Sequence, residues 1–83
     1  MPTVALVDGM RIYIYSNEHG IPHFHVLIAE YRIAIDIETL ETLEGFLPRP
    51  RLKTILDWAG PRRDALRREW DNATAGFPTR RIT

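Results

Sequence analysis

Three histidines and a glutamate fall within nine consecutive residues, N-E-H-G-I-P-H-F-H, at positions 17–25. They are Glu18, His19, His23 and His25, and the chain has no other histidine. An imidazole that faces a carboxylate can act as a general acid or base, because its ordinary pKa of about 6.5 lies close to neutral pH. Imidazole is also a common ligand of zinc. The segment therefore raises two chemical hypotheses, proton transfer and metal binding, which depend on the elements that position it.

The surrounding residues alternate between apolar and polar types, which predicts β-strands. The runs that alternate or are otherwise β-prone are 4–7, 10–15, 23–29, 32–38 and, more weakly, 42–46. Asp8-Gly9 separates the first two runs and is a dipeptide typical of two-residue hairpin turns. The first half of the chain is therefore expected to form an antiparallel sheet.

After Pro48 the sequence takes the period of an amphipathic helix, with apolar residues at i, i+3, i+4 and i+7 from Leu52 onward. Gly60 can end one helix, and Pro61 suits the first turn of the next. We therefore predict helices at about residues 50–59 and 61–74, followed by a basic tail without period at 75–83.

Strands followed by helices predict an α+β fold, with an antiparallel β-sheet of four to five strands followed by a C-terminal helical hairpin packed on one face. The 83 residues leave room for one core, so residues 1–74 are expected to form a single domain whose strands lie within about 3–47. Cysteine is absent from the sequence, which excludes disulfides and thiolate chemistry. With neither a secretory pattern nor an apolar run of about 18 residues, we expect a cytoplasmic protein without a membrane partner.

Strand alternation also predicts the side chains on the face of the sheet that the helices leave open. They are Arg11, Tyr13, Tyr15, His23, His25, Leu27, Arg32, Ala34, Asp36 and Glu38. A tight turn at residues 30–31 would place Ala29 opposite Arg32. Two rows then cross this face, Tyr13, His25 and Asp36 in one and Tyr15, His23 and Glu38 in the other. Glu-Tyr is not a favoured turn dipeptide, so a longer turn or a bulge that shifts these pairs is the alternative.

Carboxylates opposite histidines would suit metal-independent cleavage of RNA, with arginine holding the phosphate. The catalytic candidates are His23, His25, Asp36, Glu18 and Tyr13, and the binding candidates are His19, Tyr15, Glu38, Arg11, Arg63 and Arg67. The alternative is a solvated sheet face whose cross-strand pairs each contribute less than about 1 kcal/mol. Whether the protein is an enzyme stays open on these residues alone.

A zinc site is a separate hypothesis for the same histidines. His23 and His25 share one strand face, and His19 can fold back from the preceding loop to supply a third ligand. The spacing H-x3-H-x-H matches no zinc signature, and a histidine cluster without a second motif is weak evidence for a metal. We therefore expect no cofactor, with zinc on His19, His23 and His25 kept as the alternative.

Charge is divided unevenly along the chain. Residues 1–48 carry two basic and seven acidic side chains, a balance of −5, and residues 49–83 carry nine basic and four acidic ones, a balance of +5. Arg63 and Arg67 belong to a basic second helix that can contact RNA or an acidic protein. The mixed charges at i, i+4 spacing on this helix are equally typical of an ordinary solvated surface.

Several stretches together resemble one small bacterial family, called domain of unknown function 4160. They are M-P-T-V, R-I-Y-I-Y-S-N-E-H, E-H-G-I-P-H-F-H-V, I-A-I-D-I-E-T-L-E-T-L-E-G-F-L-P and I-L-D-W-A-G-P-R-R-D-A-L-R-R-E-W. The most specific stretch, E-H-x-x-P-H-x-H, is Glu18, His19, Pro22, His23 and His25 here. Members often lie beside a protein of the family called domain of unknown function 2442, in pairs regarded as toxin and antitoxin modules. They usually carry glycine near the third turn, where this chain has Ala29, and the tail after Trp70 is not part of the shared pattern.

The resemblance implies a small cognate partner protein encoded nearby, with RNA or the translation machinery as the target. The leading hypothesis is a component of a toxin-antitoxin type module whose histidine-bearing sheet face contacts RNA or the partner. A non-catalytic protein-interaction domain and a metal-dependent hydrolase are the alternatives. An exposed sheet edge in so small a domain also allows a homo-oligomer.

Overall fold

The computed structural model of the protein describes residues 3–15 and 20–82. The strands are β1 Thr3–Val7, β2 Met10–Tyr13, β3 His23–Ile28, β4 Tyr31–Asp36 and β5 Thr42–Phe46. The helices are α1 Arg49–Ala59 and α2 Arg63–Thr74, joined by a single 3-10 turn, Gly60–Arg62. The expected α+β fold, an antiparallel sheet followed by C-terminal helices, is confirmed.

The sheet is a meander in which each strand pairs antiparallel with the next, in the order β1-β2-β3-β4-β5. The first hairpin closes with Val7 opposite Met10, so Asp8 and Gly9 form its turn. Both turn residues have positive φ, 52° and 78°, which a two-residue turn favours because its twist then matches that of the strands. The hairpin predicted from Asp8-Gly9 is therefore confirmed.

The turn between β3 and β4 lies at Ala29-Glu30, because Ile28 pairs directly with Tyr31. The expected turn at residues 30–31 is wrong, and the register of these strands is shifted by two residues from the prediction. Ile28 and Tyr31 both pack against the core, so the observed register keeps two apolar side chains paired over it. A shift of two keeps every side chain on its predicted face but changes which residue it opposes.

The helices cover one face of the sheet, where α1 contacts β1 and α2 contacts β3. Their apolar stripes are buried on that face, with Ile55 of α1 and Leu66 of α2 fully buried. The strands and the residues that directly follow them contribute Ile12, Ile14, Phe24, Val26, Ile33, Ile35 and Ile37. A fully buried side chain of this size stabilises the fold by about 1.5–3 kcal/mol relative to an exposed one. The other face of the sheet is the open face.

Residues 75–82, predicted only as a basic tail, return to the sheet. Gly76 has φ +82° and follows the end of α2, where a left-handed residue reverses the chain. The backbone N–H of Ile82 then donates to the carbonyl of Val4 at 2.7 Å. Within the described residues, neither helix is long and apolar enough to cross a membrane.

Candidate functional site

The open face carries two rows of directly opposed side chains, both set by the observed register. The first row is Leu6, Arg11, Leu27, Arg32 and Phe46. The second row is Thr3, Tyr13, His25, Ala34 and Glu44. Directly opposed side chains in a sheet lie close enough to act together. The face therefore has one apolar and cationic row, which we call the arginine stripe, beside one aromatic and polar row.

The arginine stripe alternates apolar and charged residues. Its two ends are exposed, Leu6 at 60% and Phe46 at 63%, and Leu27 at its centre is half-buried. In the described part of the chain, neither Arg11 nor Arg32 forms an ion pair. Guanidinium groups bind carboxylates through paired hydrogen bonds, and exposed apolar side chains favour contact with another apolar surface. The stripe can therefore hold a partner that offers carboxylates and apolar groups together.

The second row centres on stacked rings. Tyr13 lies directly opposite His25, as predicted, and their rings stack with centroids 5.0 Å apart and an interplanar angle of 12°. Tyr15 meets both rings edge-on, at 5.2 Å from Tyr13 and 5.0 Å from His25. Tyr13 is only 1% exposed although it belongs to the open face. Its ring therefore supports His25 by packing.

His23 lies at the end of the sheet where α2 reaches the strands. Its ring centroid is 5.0 Å from those of both His25 and Trp70. Its Nδ1 lies 2.7 Å from the carbonyl oxygen of Ile21. A carbonyl oxygen only accepts, so Nδ1 carries the proton, and in the neutral ring Nε2 carries the lone pair. His23 is thus oriented by backbone and ring contacts.

Asp36, the predicted partner of His25, accepts hydrogen bonds from the backbone instead. It lies opposite His23, and its Oδ1 accepts the backbone N–H groups of Glu38 at 2.7 Å and Thr39 at 3.0 Å. A carboxylate bound in this way stabilises the turn that follows the strand. His25 instead faces Ala34. The predicted row of Tyr13, His25 and Asp36 is therefore wrong, because the shifted register replaces its carboxylate with a methyl group.

Glu38 does not lie opposite His23, and that predicted pair is also wrong. The strand ends at Asp36, so alternation no longer decides where Glu38 points. Its Oε1 accepts a 2.7 Å hydrogen bond from Nη1 of Arg67 on α2. Nε of Arg67 also lies 3.4 Å from Oδ1 of Asp71. The hydrogen bonds that Arg67 makes to Asp71 and Glu38 raise its pKa above the ordinary value. This predicted binding arginine is thus already paired, whereas Arg63 is exposed.

Glu18 and His19 lie outside the described residues, so their predicted catalytic, binding and metal roles stay predictions. Among the residues that the structure describes, no group of three histidine, cysteine, aspartate or glutamate side chains could hold a metal ion. His23 and His25 by themselves supply two ring nitrogen donors, one fewer than the three protein ligands of a catalytic zinc site.

A concavity of about 590 Å³ opens between the two rows. Tyr15 and His25 line one part of it, Arg32 and Glu44 another, and Ala34 lies among them with only 8% exposure. Glu44, Leu6 and Phe46 were missed as candidate residues. In the sequence, Leu6 and Phe46 have the pattern of ordinary strand residues. Only the register of the assembled sheet places Leu6 beside Arg11 and Phe46 beside Arg32.

A family model described as Domain of unknown function (DUF4160) matches residues 9–71, which is more than half of the chain, and the chain belongs to that family. No curated protein and no solved structure matches it. The match includes β2 to β5, α1 and most of α2, and thus Arg11, Arg32 and both described histidines. β1 and the segment after α2 lie outside it.

Proposed function

We propose that the protein is a non-catalytic binding module that docks a partner protein on the open face of its sheet, as one component of a bacterial two-protein module of the toxin-antitoxin type. The observation that carries the proposal is the arginine stripe. Exposed apolar side chains end it, and two arginines without ion pairs in the described chain flank its central leucine. Interfaces between proteins combine apolar and arginine side chains in this way.

The spacing of the stripe defines the partner. Arg11 and Arg32 lie on β2 and β4, which are separated by β3, so their Cα atoms are roughly 10 Å apart. Leu27 lies between them. The fitting surface offers two carboxylates at about this separation and an apolar side chain between them. A small protein that presents two carboxylates at this separation is therefore the expected occupant.

RNA fits this face less well than a protein does. Glu30 and Glu44 line the same concavity as Arg32. The regular charges of a phosphate chain would meet these carboxylates as well as the arginines, whereas a protein can place its carboxylates at the arginines and neutral groups beside Glu30 and Glu44. On α2, Arg67 is paired with Glu38 and Asp71. A polyanion needs a surface with a clear excess of positive charge, and the open face, where two glutamates lie beside the arginines, does not supply one. The charge pattern favours the protein partner.

The pair predicted for acid-base cleavage of RNA, Asp36 directly opposite His25, does not occur in the observed register. The mechanism needs a carboxylate that orients a histidine, and the position opposite His25 is Ala34. The Asp36 oxygen that accepts two backbone N–H groups is committed to the turn. On its ring contacts with Tyr13 and Tyr15, we place His25 in the packing of the docking face.

The test is binding to the small protein encoded beside this one, with both purified and the Kd measured by calorimetry. Arg32→Glu reverses a charge of the stripe, and Leu27→Asp places a carboxylate at its centre. Each is expected to weaken binding about tenfold or more. Arg32→Glu sets like charges against each other across the interface, and Leu27→Asp sets a carboxylate against an apolar side chain of the partner. The matched control is Arg63→Glu, the same change on an exposed arginine of α2, and it should leave the Kd within about twofold.

Loss of binding in Arg63→Glu, with Arg32→Glu unchanged, would move the docking surface to α2. Equal Kd values for all three variants and the wild type would remove the open face from the proposal. Incubation of the pure protein with labelled RNA should leave the RNA intact, and cleavage would return the histidines to a catalytic role. Expressing each member of the pair alone should slow growth in one case, and the other member should restore it.

A further inference from the structure

The two edges of the sheet are built differently. β5 has the sequence T-L-E-G-F, with a bulge at Leu43, the charged Glu44 and a left-handed Gly45 at φ +86°. β1 has the sequence T-V-A-L-V, with no charge, proline or glycine. Bulges and charges hinder pairing with another strand, whereas an uncharged β-prone edge promotes it. β5 is thus protected by its own residues, and β1 needs another element.

The C-terminal segment supplies that element, and we call residues 80–82 the strap. Its last described residue, Ile82, donates its N–H to the carbonyl of Val4 in β1 at 2.7 Å and packs its side chain against the core. Val4 is the residue at which a bulge interrupts β1. The strap therefore occupies a backbone group that the pairing with β2 leaves at the outer edge.

A buried carboxylate holds the other end of the strap. Glu69 of α2 is 0% exposed, and its Oε1 accepts the backbone N–H of Arg80 at 2.7 Å. Its Oε2 lies 3.2 Å from Nε of Arg68. Burial of a carboxylate is costly unless its oxygens are bonded, so Glu69 and the strap depend on each other. The strap is fixed at two backbone donors, Arg80 and Ile82.

We propose that the strap blocks the edge of β1, and that a second copy of this chain occupies the edge when the strap is released. The second copy is the fitting occupant because an antiparallel pair of β1 strands brings no like charges together. It also sets Leu6, which is 60% exposed, beside apolar residues of the other copy. The product is a two-fold dimer with one continuous sheet.

The test uses the full chain with Arg80→Pro and Ile82→Pro combined, which removes both backbone donors of the strap. The control combines Arg80→Ala and Ile82→Val, which trims the same side chains and keeps both N–H groups. Light scattering coupled to size exclusion measures mass over a range of micromolar concentrations. The wild type and the control should remain monomers, and the double-proline variant should become a dimer with concentration. Adding Leu6→Lys to the double-proline variant should return it to a monomer, since like charges then meet at the edge.

A folded double-proline variant that stays a monomer would overturn the proposal, as would a wild type that dimerises equally. If circular dichroism shows that the double variant is unfolded, Ile82→Pro alone is judged by the same criterion. Hydrogen exchange on the wild type tests the strap without any substitution. The amides of Arg80 and Ile82 should exchange far more slowly than that of Arg81, and equal rates at the three positions would show that the strap is not bound.

Discussion

The covered face and the open face of the sheet come from the same strands but use their side chains differently. In β3, Phe24 and Val26 point to the helices and are fully buried, while His25 and Leu27, which alternate with them, stay partly exposed on the open face. The covered face excludes water and supplies most of the hydrophobic stabilisation. On the open face less surface is buried, so charged and aromatic residues can be kept for contact with a partner.

The largest contrast between the faces is expected for truncations on β3. Phe24→Ala should lower the free energy of unfolding by about 3–5 kcal/mol, because it leaves a cavity in the core. Leu27→Ala, three residues away on the open face, should lower it by about 1 kcal/mol or less. Urea denaturation of both variants measures the difference. Equal losses would show that the open face is as important to folding as the core.

A smaller effect is expected at Gly45, where β5 approaches β4 closely. A Cβ at this position would overlap the carbonyl oxygen of Arg32, and the residue has φ +86°. Gly45→Ala should therefore cost roughly 2–4 kcal/mol, from left-handed strain and backbone displacement together. Gly9→Ala is the matched control, because Gly9 has φ +78° with open space around it, and it should cost about 1–2 kcal/mol. If denaturation gives both variants the same loss, close packing contributes nothing at Gly45.

The smallest expected effect is a gain of stability at the third turn. Ala29 has φ +50°, a conformation that alanine adopts at a cost and glycine adopts freely. Ala29→Gly should raise the free energy of unfolding by roughly 0.5–1 kcal/mol, and thermal denaturation measures it. Ala75→Gly is the control, since Ala75 has φ −83° and gains nothing from glycine. If Ala29→Gly lowered the free energy of unfolding as much as Ala75→Gly does, Ala29 would not be strained in the folded protein.

The observed register also explains how far the candidate site followed from the sequence. Alternation placed His23, His25 and Leu27 on one face, and the hairpin placed Tyr13 beside His25. The turn at Ala29-Glu30 did not follow, because neither residue is a usual turn former. Its position depends on keeping Ile28 paired with Tyr31 over the core. The resulting register places Ala34, and not Asp36, opposite His25.

What the sequence by itself determined is local: the strands, the helices, the Asp8-Gly9 turn and the face that each strand residue occupies. These depend on periods of two or 3.6 residues and on turn chemistry, which neighbouring residues specify. Only the tertiary structure decided the register of β3 and β4, the pairing of Glu38 with Arg67 and the return of Ile82 to Val4. The last two contacts join residues far apart in the chain, and the register, although it joins near neighbours, depends on how the strands pack over the core.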